Sequence, residues 1–579
     1  MPIRPDIYDP LEEYVTVFRD KFQQVAQDTF DQLAQEAQVD VDANRETCQS
    51  LYGAQNDKHS LEGSITGLKF LMGLLIALTV AAAILIGVQS QVWPQTTIAA
   101  VSVAAIISLL IALLAILPQI RKKKTDLEQI TSRVVALQQQ AWEQMNALNG
   151  LYDWDILTRM MSLTVPRLEF DDFFTTQRLA DLEQTYGWDS SFNADRSVLY
   201  AHSGLINGNP FVICRTKKME MGTKTYVGTK VIHWTTRERG SDGNYYTQHH
   251  SQTLTATVTA PCPYYYEKTR VIYGNVAAPD LIFSRVDNDL AGRENSLAFK
   301  WERRKLRKKA RDLTGSDYAM MTNEDFEVLF NTSDRNNNQQ FALLFTPLAQ
   351  ESMLRLMRDE EHGYGDDFDF YKNKMINTIV PQHIQEITLD CNPKQFEHFD
   401  FEQAKDNFVS VNAEHFRAIY FSLAPLLCVP MYQQIRSHKD IYGCGMQKRS
   451  AFWEHEALAN FWGKEHFQHP SCVTDCILKT TSRVAKDAKS VIEVTAHGYS
   501  TKQHVKYVST FGGDGRWHNV PVYWDEYIPV TGMGSLDIEE DNDVPPTPMT
   551  QRERIHRIND ILRRSHYRFY RRHIASACR

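Results

Sequence analysis

Two stretches decide the architecture: FLMGLLIALTVAAAILIGV, Phe70–Val88, and IAAVSVAAIISLLIALLAIL, Ile98–Leu117. No Asp, Glu, Lys or Arg occurs between Lys69 and Arg121. Each stretch holds about 20 residues, which at roughly 1.5 Å rise per residue matches a hydrocarbon core of roughly 30 Å. A globular domain seldom holds two successive helices that are apolar all round, so the pair predicts a transmembrane helical hairpin. The connector Gln89–Gln95 carries no positive charge, whereas Arg121, Lys122, Lys123 and Lys124 follow the second run. By the positive-inside rule both termini are expected in the cytoplasm of a multi-pass cell-membrane protein, with the four cations at the membrane surface. Trp93 is expected at the outer interface and Pro94 at the turn. The polar residues inside the spans, Thr79, Ser102 and Ser108, are small and do not ionise, so the hairpin reads as an anchor rather than a proton or ion path.

Around this hairpin the remaining chain is long enough for several folded units. Its 579 residues carry a net charge of −8, so basic features are local rather than global. The nine cysteines are odd in number and dispersed, which predicts reduced thiols, and a signal peptide is not expected, because the first apolar run begins only after about 65 residues of acidic, amphipathic sequence. The expected class is α+β. Segment 1–66 is an N-terminal amphipathic helical region, 67–120 the hairpin, and 121–165 a post-membrane helix. Segment 166–295 is a β-rich domain, 296–535 a mixed α/β domain, 536–550 an acidic and Pro-rich linker, and 551–579 a basic amphipathic tail.

Asp9-Pro10 reads as a helix cap and first residue, followed by an apolar stripe from Leu11 to Ala37. A second stripe runs Leu127, Ile130, Val134, Leu137, Ala141, Met145, Leu148. Either the two meet as a coiled-coil-like stalk or each packs on the soluble region. Period-two segments between Leu168 and Arg285 predict strands, with a hairpin turn at Ser241-Asp242-Gly243-Asn244. Leu297–Asp312 predicts a basic helix with a solvated face; without a reader module or an aromatic platform, nucleic acid is not the expected partner. Ala418–Met431 is apolar but too short to span and holds two prolines, so it is expected in a core. Gly512–Arg516 reads as a hairpin turn between two strands.

The segment DFEVLFNTSDRNNNQQFALLFTPLAQESMLRLM, Asp325–Met357, carries Phe326, Phe330, Asp334, Phe341, Thr346, Pro347, Met353 and Leu356. With SGLINGNPFVIC, Ser203–Cys214, it resembles the signature of an uncharacterised family of bacterial two-span membrane proteins. That resemblance covers about residues 1–370 and implies a cytoplasmic α+β domain with no assigned activity. Phe416–Gln433 and Phe511–Val530 are similar to hypothetical proteins of low-GC bacteria and mollicutes. Within the signature, Phe330 and Phe341–Phe345 read as strands, and Thr346-Pro347 as the start of a helix burying Met353, Leu354 and Met357.

His466, His469, Cys472 and Cys476 form the best candidate metal set, suited in type to zinc but crowded for a tetrahedral site. Trp453–Asn460 is similar to a metalloprotease helix but has Ala459 where a second His is required. No other cofactor is expected. In the tail, Ile555, Ile558, Leu562 and Phe569 mark a helical stripe, and Arg563, Arg564, Arg568, Arg571 and Arg572 are expected to meet anionic lipid. The leading expectation is a membrane-anchored binding or scaffold protein, partnered by the bilayer and by a protein or a second copy of itself. The alternatives are a membrane-bound metal-dependent hydrolase and an oligomeric two-span membrane effector.

Overall fold

The computed structural model describes residues 7–89, 94–239, 241, 244–312, 318–387, 389–434, 449–484, 490–540, 553, 568–570 and 574–578. The fold is mixed helix and sheet and divides into two compact units. The larger holds residues 1–26, 153–392 and 411–579, and the smaller 27–152 and 393–410.

In the smaller unit one helix, Val41–Gln89, runs 49 residues without a break. At about 1.5 Å per residue that is roughly 74 Å, more than twice a hydrocarbon core. The expected boundary at 66/67 therefore disappears, because nothing between Gly63 and Phe70 interrupts the helix. The return path is Gln95–Leu110, a π-helical stretch Ile111–Ile116, and Leu117–Asn149. Pro94 precedes it as N-cap; Trp93 lies outside the described residues. The apolar windows of the two paths have mean hydropathies of 2.4 and 2.9, with 0% and 11% of their residues buried, so both are long and apolar enough to cross a membrane. Thr79 Oγ1 and Ser108 Oγ meet at 3.0 Å between the two paths, and each also lies within hydrogen-bond distance of a carbonyl of its own helix, so both hydroxyls have partners within the protein.

Beyond the apolar part, Leu51 and Ala54 bury against Val134, with Ile130, Leu137 and Phe399 around them. A stalk thus forms between residues 41–66 and the post-hairpin stripe. The Leu11–Ala37 stripe takes the other course and packs along Phe401–Leu427. Phe30 contacts Phe401 and Phe408 in the smaller unit, and Phe22 stacks on Phe416 at 4.2 Å in the larger one. Asp9 caps its helix as expected, accepting from Leu11 N and Glu12 N.

The larger unit contains two antiparallel sheets. β1 (Leu168–Phe170), β2 (Arg196–Ile206), β3 (Asn209–Arg239), β4 (Tyr245–Gly274), β5 (Ile282–Arg285), β6 (Phe368–Asn373) and β7 (Ile376–Pro381) lie in the order β1-β2-β3-β4-β7-β6-β5. β8 (Ile477–Val484), β9 (Ser490–Phe511), β10 (Trp517–Glu540), β11 (Arg568–Tyr570) and β12 (Ile574–Cys578) lie in the order β11-β12-β10-β9-β8. The β2–β3 turn places Asn207 and Gly208 at φ +52° and +80°, the backbone twist that closes a two-residue hairpin. The Gly512–Arg516 turn joins β9 to β10 as expected. Residues 242 and 243 of the β3–β4 turn lie outside the described residues, although Arg239 pairs with Tyr245 on either side of it.

Three expectations are corrected here. The boundary at 295/296 separates nothing, because β4 pairs with β7 from Val271↔Ile379 to Gly274↔Ile376. The tail's described residues from Arg568 onward are strand rather than helix: β12 pairs with β10 and β11 with β12, so Leu536 and Ile538 gain a neighbouring strand. Asp537–Glu540 likewise belong to β10 rather than to a linker. Third, Phe330 and Phe341–Phe345 belong to two short helices, Glu324–Phe330 and Asn338–Leu344, plus Phe345 after them. Short apolar runs do not distinguish a strand from a buried helix turn.

The sheets join through a core that includes Val212, Cys214 and Ile272 from one and Ile492, Val494 and Leu536 from the other. The helix Phe452–Trp462 inserts Trp453, Ala457 and Leu458 into it. β2 pairs with β3 only as far as Lys218 and β7 with β4 only from Val271, so the rest of the β3–β4 ladder is a two-stranded ribbon. From Met219↔Tyr265 to Arg239↔Tyr245 this ribbon extends about 70 Å at roughly 3.3 Å per residue. Such a ribbon is marginal alone. It is stabilised by a second ribbon from β9 and β10, which shares with it a small core of Ile232, Leu254, Ala256, Val520 and Val522. Gly228 permits this approach, since a Cβ there would lie 2.1 Å from the Pro521 carbonyl oxygen.

Gly228→Val therefore separates the ribbons at an expected cost of about 1–3 kcal/mol. Hydrogen exchange should show lost protection at residues 226–234 and 518–524, with protection in β2 and β12 retained.

Candidate functional site

The four candidate metal ligands follow the Phe452–Trp462 helix. His466 is exposed and lies edge-on to Trp462 at 5.5 Å. His469 Nδ1 receives the Ser471 N–H at 3.1 Å and lies 2.7 Å from Ser471 Oγ. Cys472 and Cys476 do approach each other, Sγ to Sγ 3.6 Å. Among the described residues no three His, Cys, Asp or Glu side chains stand where they could hold a metal ion.

The helix itself uses its acids as internal acceptors. Glu454 Oε1 accepts from Phe174 N at 2.8 Å. Glu456 Oε2 accepts from Asn193 Nδ2 at 2.9 Å and Val198 N at 3.1 Å, and Oε1 lies 2.6 Å from Lys479 Nζ. Both carboxylates are fully buried. Burial lifts the Glu456 carboxyl above its ordinary value despite Lys479 and the two donors, which act the other way. These bonds tie the helix to β2 and to the segment before it.

A second cluster has the residue types of an acyl-transfer site and was not legible in the sequence, since its members lie at 367, 383 and 422. His383 Nδ1 bonds Asp367 Oδ2, and His383 Nε2 lies 3.2 Å from Ser422 Oγ. The hydrogen bonding runs the wrong way for catalysis. Nε2 is also 2.9 Å from the Ala418 carbonyl, which only accepts, so Nε2 carries a proton and is not a base toward serine. Ser422 is fully buried and donates to the same carbonyl at 2.8 Å. Tyr364 covers the imidazole face to face at 3.8 Å. The cluster clamps the Phe401–Leu427 helix to the segments around 364 and 383. Elsewhere, burial brings Lys372 down to about 7; its amine donates to the Ala277 carbonyl at 3.1 Å.

The Asp325–Met357 signature is architectural. β5 is an edge strand, and its outward amides are met by side chains: Ile282 N donates to Asn336 Oδ1 at 2.7 Å, and Ser284 N to Asp334 Oδ2 at 3.0 Å. Asn336 N returns a bond to the Ile282 carbonyl at 3.1 Å, so the polar run acts as a substitute neighbour that closes the sheet. Behind it Arg335 and Glu327, each about 1% exposed, pair at 2.8 Å, with Tyr318 donating to Glu327 at 2.6 Å. Phe283, Phe330, Phe341, Phe345 and Phe370 pack around the edge. Thr346 caps the Pro347–Arg358 helix, whose Met353, Leu354 and Met357 are buried as expected.

Of the charged surface candidates, Arg121, Lys122, Lys123 and Lys124 lie on the Leu117–Asn149 helix just past the apolar window. Arg568 lies in β11 with its guanidinium 4.4 Å from the Trp462 ring centre, a contact within the protein rather than a free lipid-facing cation. Arg563, Arg564, Arg571 and Arg572 lie outside the described residues. The basic helix forms as Leu297–Arg311, with Phe299 and Leu306 buried; Arg303 pairs with Asp325 at 2.7 Å and Arg307 bonds Glu324 at 2.7 Å. Its basic face is thus partly neutralised within the fold. The ribbons instead expose aromatic rings: Tyr245 and Trp517 are each 70% exposed, Tyr523 59% and Tyr246 56%.

No family model, curated protein or solved structure matches this chain.

Two outcomes test these assignments. A buried acid with a raised folded value contributes stability that is complete below the ordinary carboxylate range and is lost as pH rises through the folded value. Wild-type melting temperature should therefore fall more steeply than that of Glu456→Gln as pH rises above the ordinary glutamate value of about 4.3. Arg335→Met strands the Glu327 charge and should destabilise the larger unit by about 3–5 kcal/mol in denaturant titration.

Proposed function

We propose that this chain is a bilayer-anchored binding or scaffolding protein whose folded regions stay on the cytoplasmic side, as in the uncharacterised two-span membrane family that its signature resembles. The observation that carries the anchoring is the pair of helices whose apolar windows are unburied. Side chains such as Phe70, Ile84, Ile106 and Leu114 have no protein core to enter, and an apolar surface of that extent is stable only against another apolar phase. The Arg121–Lys124 run, set against an uncharged connector, supports cytoplasmic termini.

The binding part of the reading is supported by the ribbons. Exposed Tyr and Trp on a rigid sheet bring large contact area at little entropic cost, and such residues dominate the energetics of protein interfaces. The buried, committed state of Ser422 and the dispersed histidines supply no comparable support for a hydrolase.

Alkaline carbonate extraction should leave the protein in the membrane pellet, and release into the supernatant would overturn the anchor. A C-terminal alkaline phosphatase fusion should be inactive, while the same enzyme inserted after Gln95 should be active. Replacing Arg121–Lys124 by Gln should reduce that asymmetry. For binding, Tyr245, Tyr246, Trp517 and Tyr523 changed together to Ser should deplete the proteins that co-purify with the wild type. An unchanged set would remove the ribbons from the interface.

A further inference from the structure

We propose that Cys472 and Cys476 are a reversible disulfide site, oxidised by small-molecule disulfides and placed where it controls the root of both ribbons. The inference does not depend on the binding reading. The two sulfurs are already 3.6 Å apart, and a disulfide requires about 2.05 Å, a closure of roughly 1.5 Å that side-chain rotation supplies when the backbone is favourable.

That backbone is held on both sides of the pair. Cys472 N donates to the His469 carbonyl at 2.8 Å and Val473 N to the Tyr499 carbonyl at 2.9 Å. Tyr499 N donates to Thr474 Oγ1 at 3.0 Å, and the same hydroxyl meets Tyr265 Oη at 3.1 Å. Asp475 pairs with Lys217 at 2.8 Å and Lys464 at 3.3 Å. β9 closes over the sulfurs at Gly498, where a Cβ would lie 2.5 Å from Cys472 Sγ and 2.9 Å from Cys476 Sγ. Only a residue without a side chain leaves room for the pair.

The two thiols differ in access: Cys472 is half-buried and Cys476 buried. Oxidation therefore has an order. The Cys472 thiolate attacks one sulfur of a small-molecule disulfide, whose S–S bond breaks and releases one thiolate that takes up a proton. Cys476 then gives up its proton and attacks Cys472 Sγ, breaking the mixed disulfide and releasing the second small thiol. Two protein thiols are oxidised to one disulfide while one external disulfide is reduced to two thiols. Excess reduced thiol runs the sequence backwards.

The location gives the bond a consequence. The loop touches β3 at Lys217, β4 at Tyr265, β9 at Gly498 and Tyr499, and β10 at Gly532, whose Cβ position falls 2.1 Å from the Phe467 carbonyl oxygen. These points lie where the strands leave the shared core, so oxidation fixes the clasp from which the ribbons extend.

The test uses full-length protein in detergent, equilibrated with glutathione buffers from fully reduced to fully oxidised, acid-quenched, alkylated and mapped by peptide mass. In oxidised buffer the peptide containing both residues should lose two hydrogens and resist alkylation, and reduced glutathione should restore it. Cys476→Ser should retain glutathione on Cys472 at about tenfold the wild-type level, because the resolving thiol is gone. Cys472→Ser should leave Cys476 free. Amides 472–476 and 498–500 should exchange more slowly in the oxidised protein. Equal alkylation of both thiols in the most oxidising buffer would overturn the proposal, and so would a bond from Cys472 to any other cysteine. Wild-type mapping alone decides this, even if a variant fails to fold.

Discussion

The larger unit depends on one constraint: β3 and β4 pair far beyond the reach of their other neighbours. Each strand carries a row of backbone donors and acceptors that its partner satisfies on one edge only. The apolar face of that ribbon, at Ile232, Leu254 and Ala256, also needs cover. A second ribbon of comparable reach answers this need, and β9 and β10 therefore extend as they do. Gly228 is the point at which contact becomes close enough to exclude a side chain. The loop 463–476, which carries Cys472 and Cys476, anchors both ribbons where they emerge from the core.

Buried charge in this protein serves architecture. Arg285 with Asp366 and Glu456 with Lys479 join separate elements, and Arg335 with Glu327 ties the polar run after Phe330 to the helix before it. A buried ion is costly unless its partners are in place, so each pair specifies one arrangement of the elements around it. The same reasoning separates chemistry from resemblance to chemistry. Ser422, His383 and Asp367 have the composition of a catalytic triad, yet Ser422 is buried and donates its hydroxyl to the Ala418 carbonyl, and His383 Nε2 lies 2.9 Å from that same carbonyl. Lys372 combines near-complete burial with a lowered value, and its single carbonyl contact leaves it a structural donor.

The smaller unit follows different physics. Its long helices carry apolar surface where no core exists and then, further along the same helices, a narrow seam at Leu51, Ala54 and Val134. Along one continuous helix the pattern changes from all-round apolar to one-sided apolar. An uninterrupted backbone across that change couples the stalk rigidly to the apolar segment.

Local features were legible in the sequence because their causes are local. The two apolar runs, the cap at Asp9, the Thr346-Pro347 helix start, the turn at Gly512–Arg516 and the basic helix after Ser296 each depend on residues a few positions apart. Strand partners were not legible, because a hydrogen-bonded ladder is indifferent to chain distance: β7 joins β4, and β12 joins β10, through backbone groups that every residue possesses. Phe330 and Phe341 read as strand from their short apolar runs, and only the packing of Phe283 and Phe370 against them shows which surface their helices bury. The tail's helical periodicity at Phe569 yielded to the pairing of β11 with β12. The sequence alone determined where the chain is apolar, charged or turned. Only the tertiary structure decided which edges are closed, which ions are paired and which two thiols meet, because those outcomes require partners on other elements of the fold or a loop held at both ends.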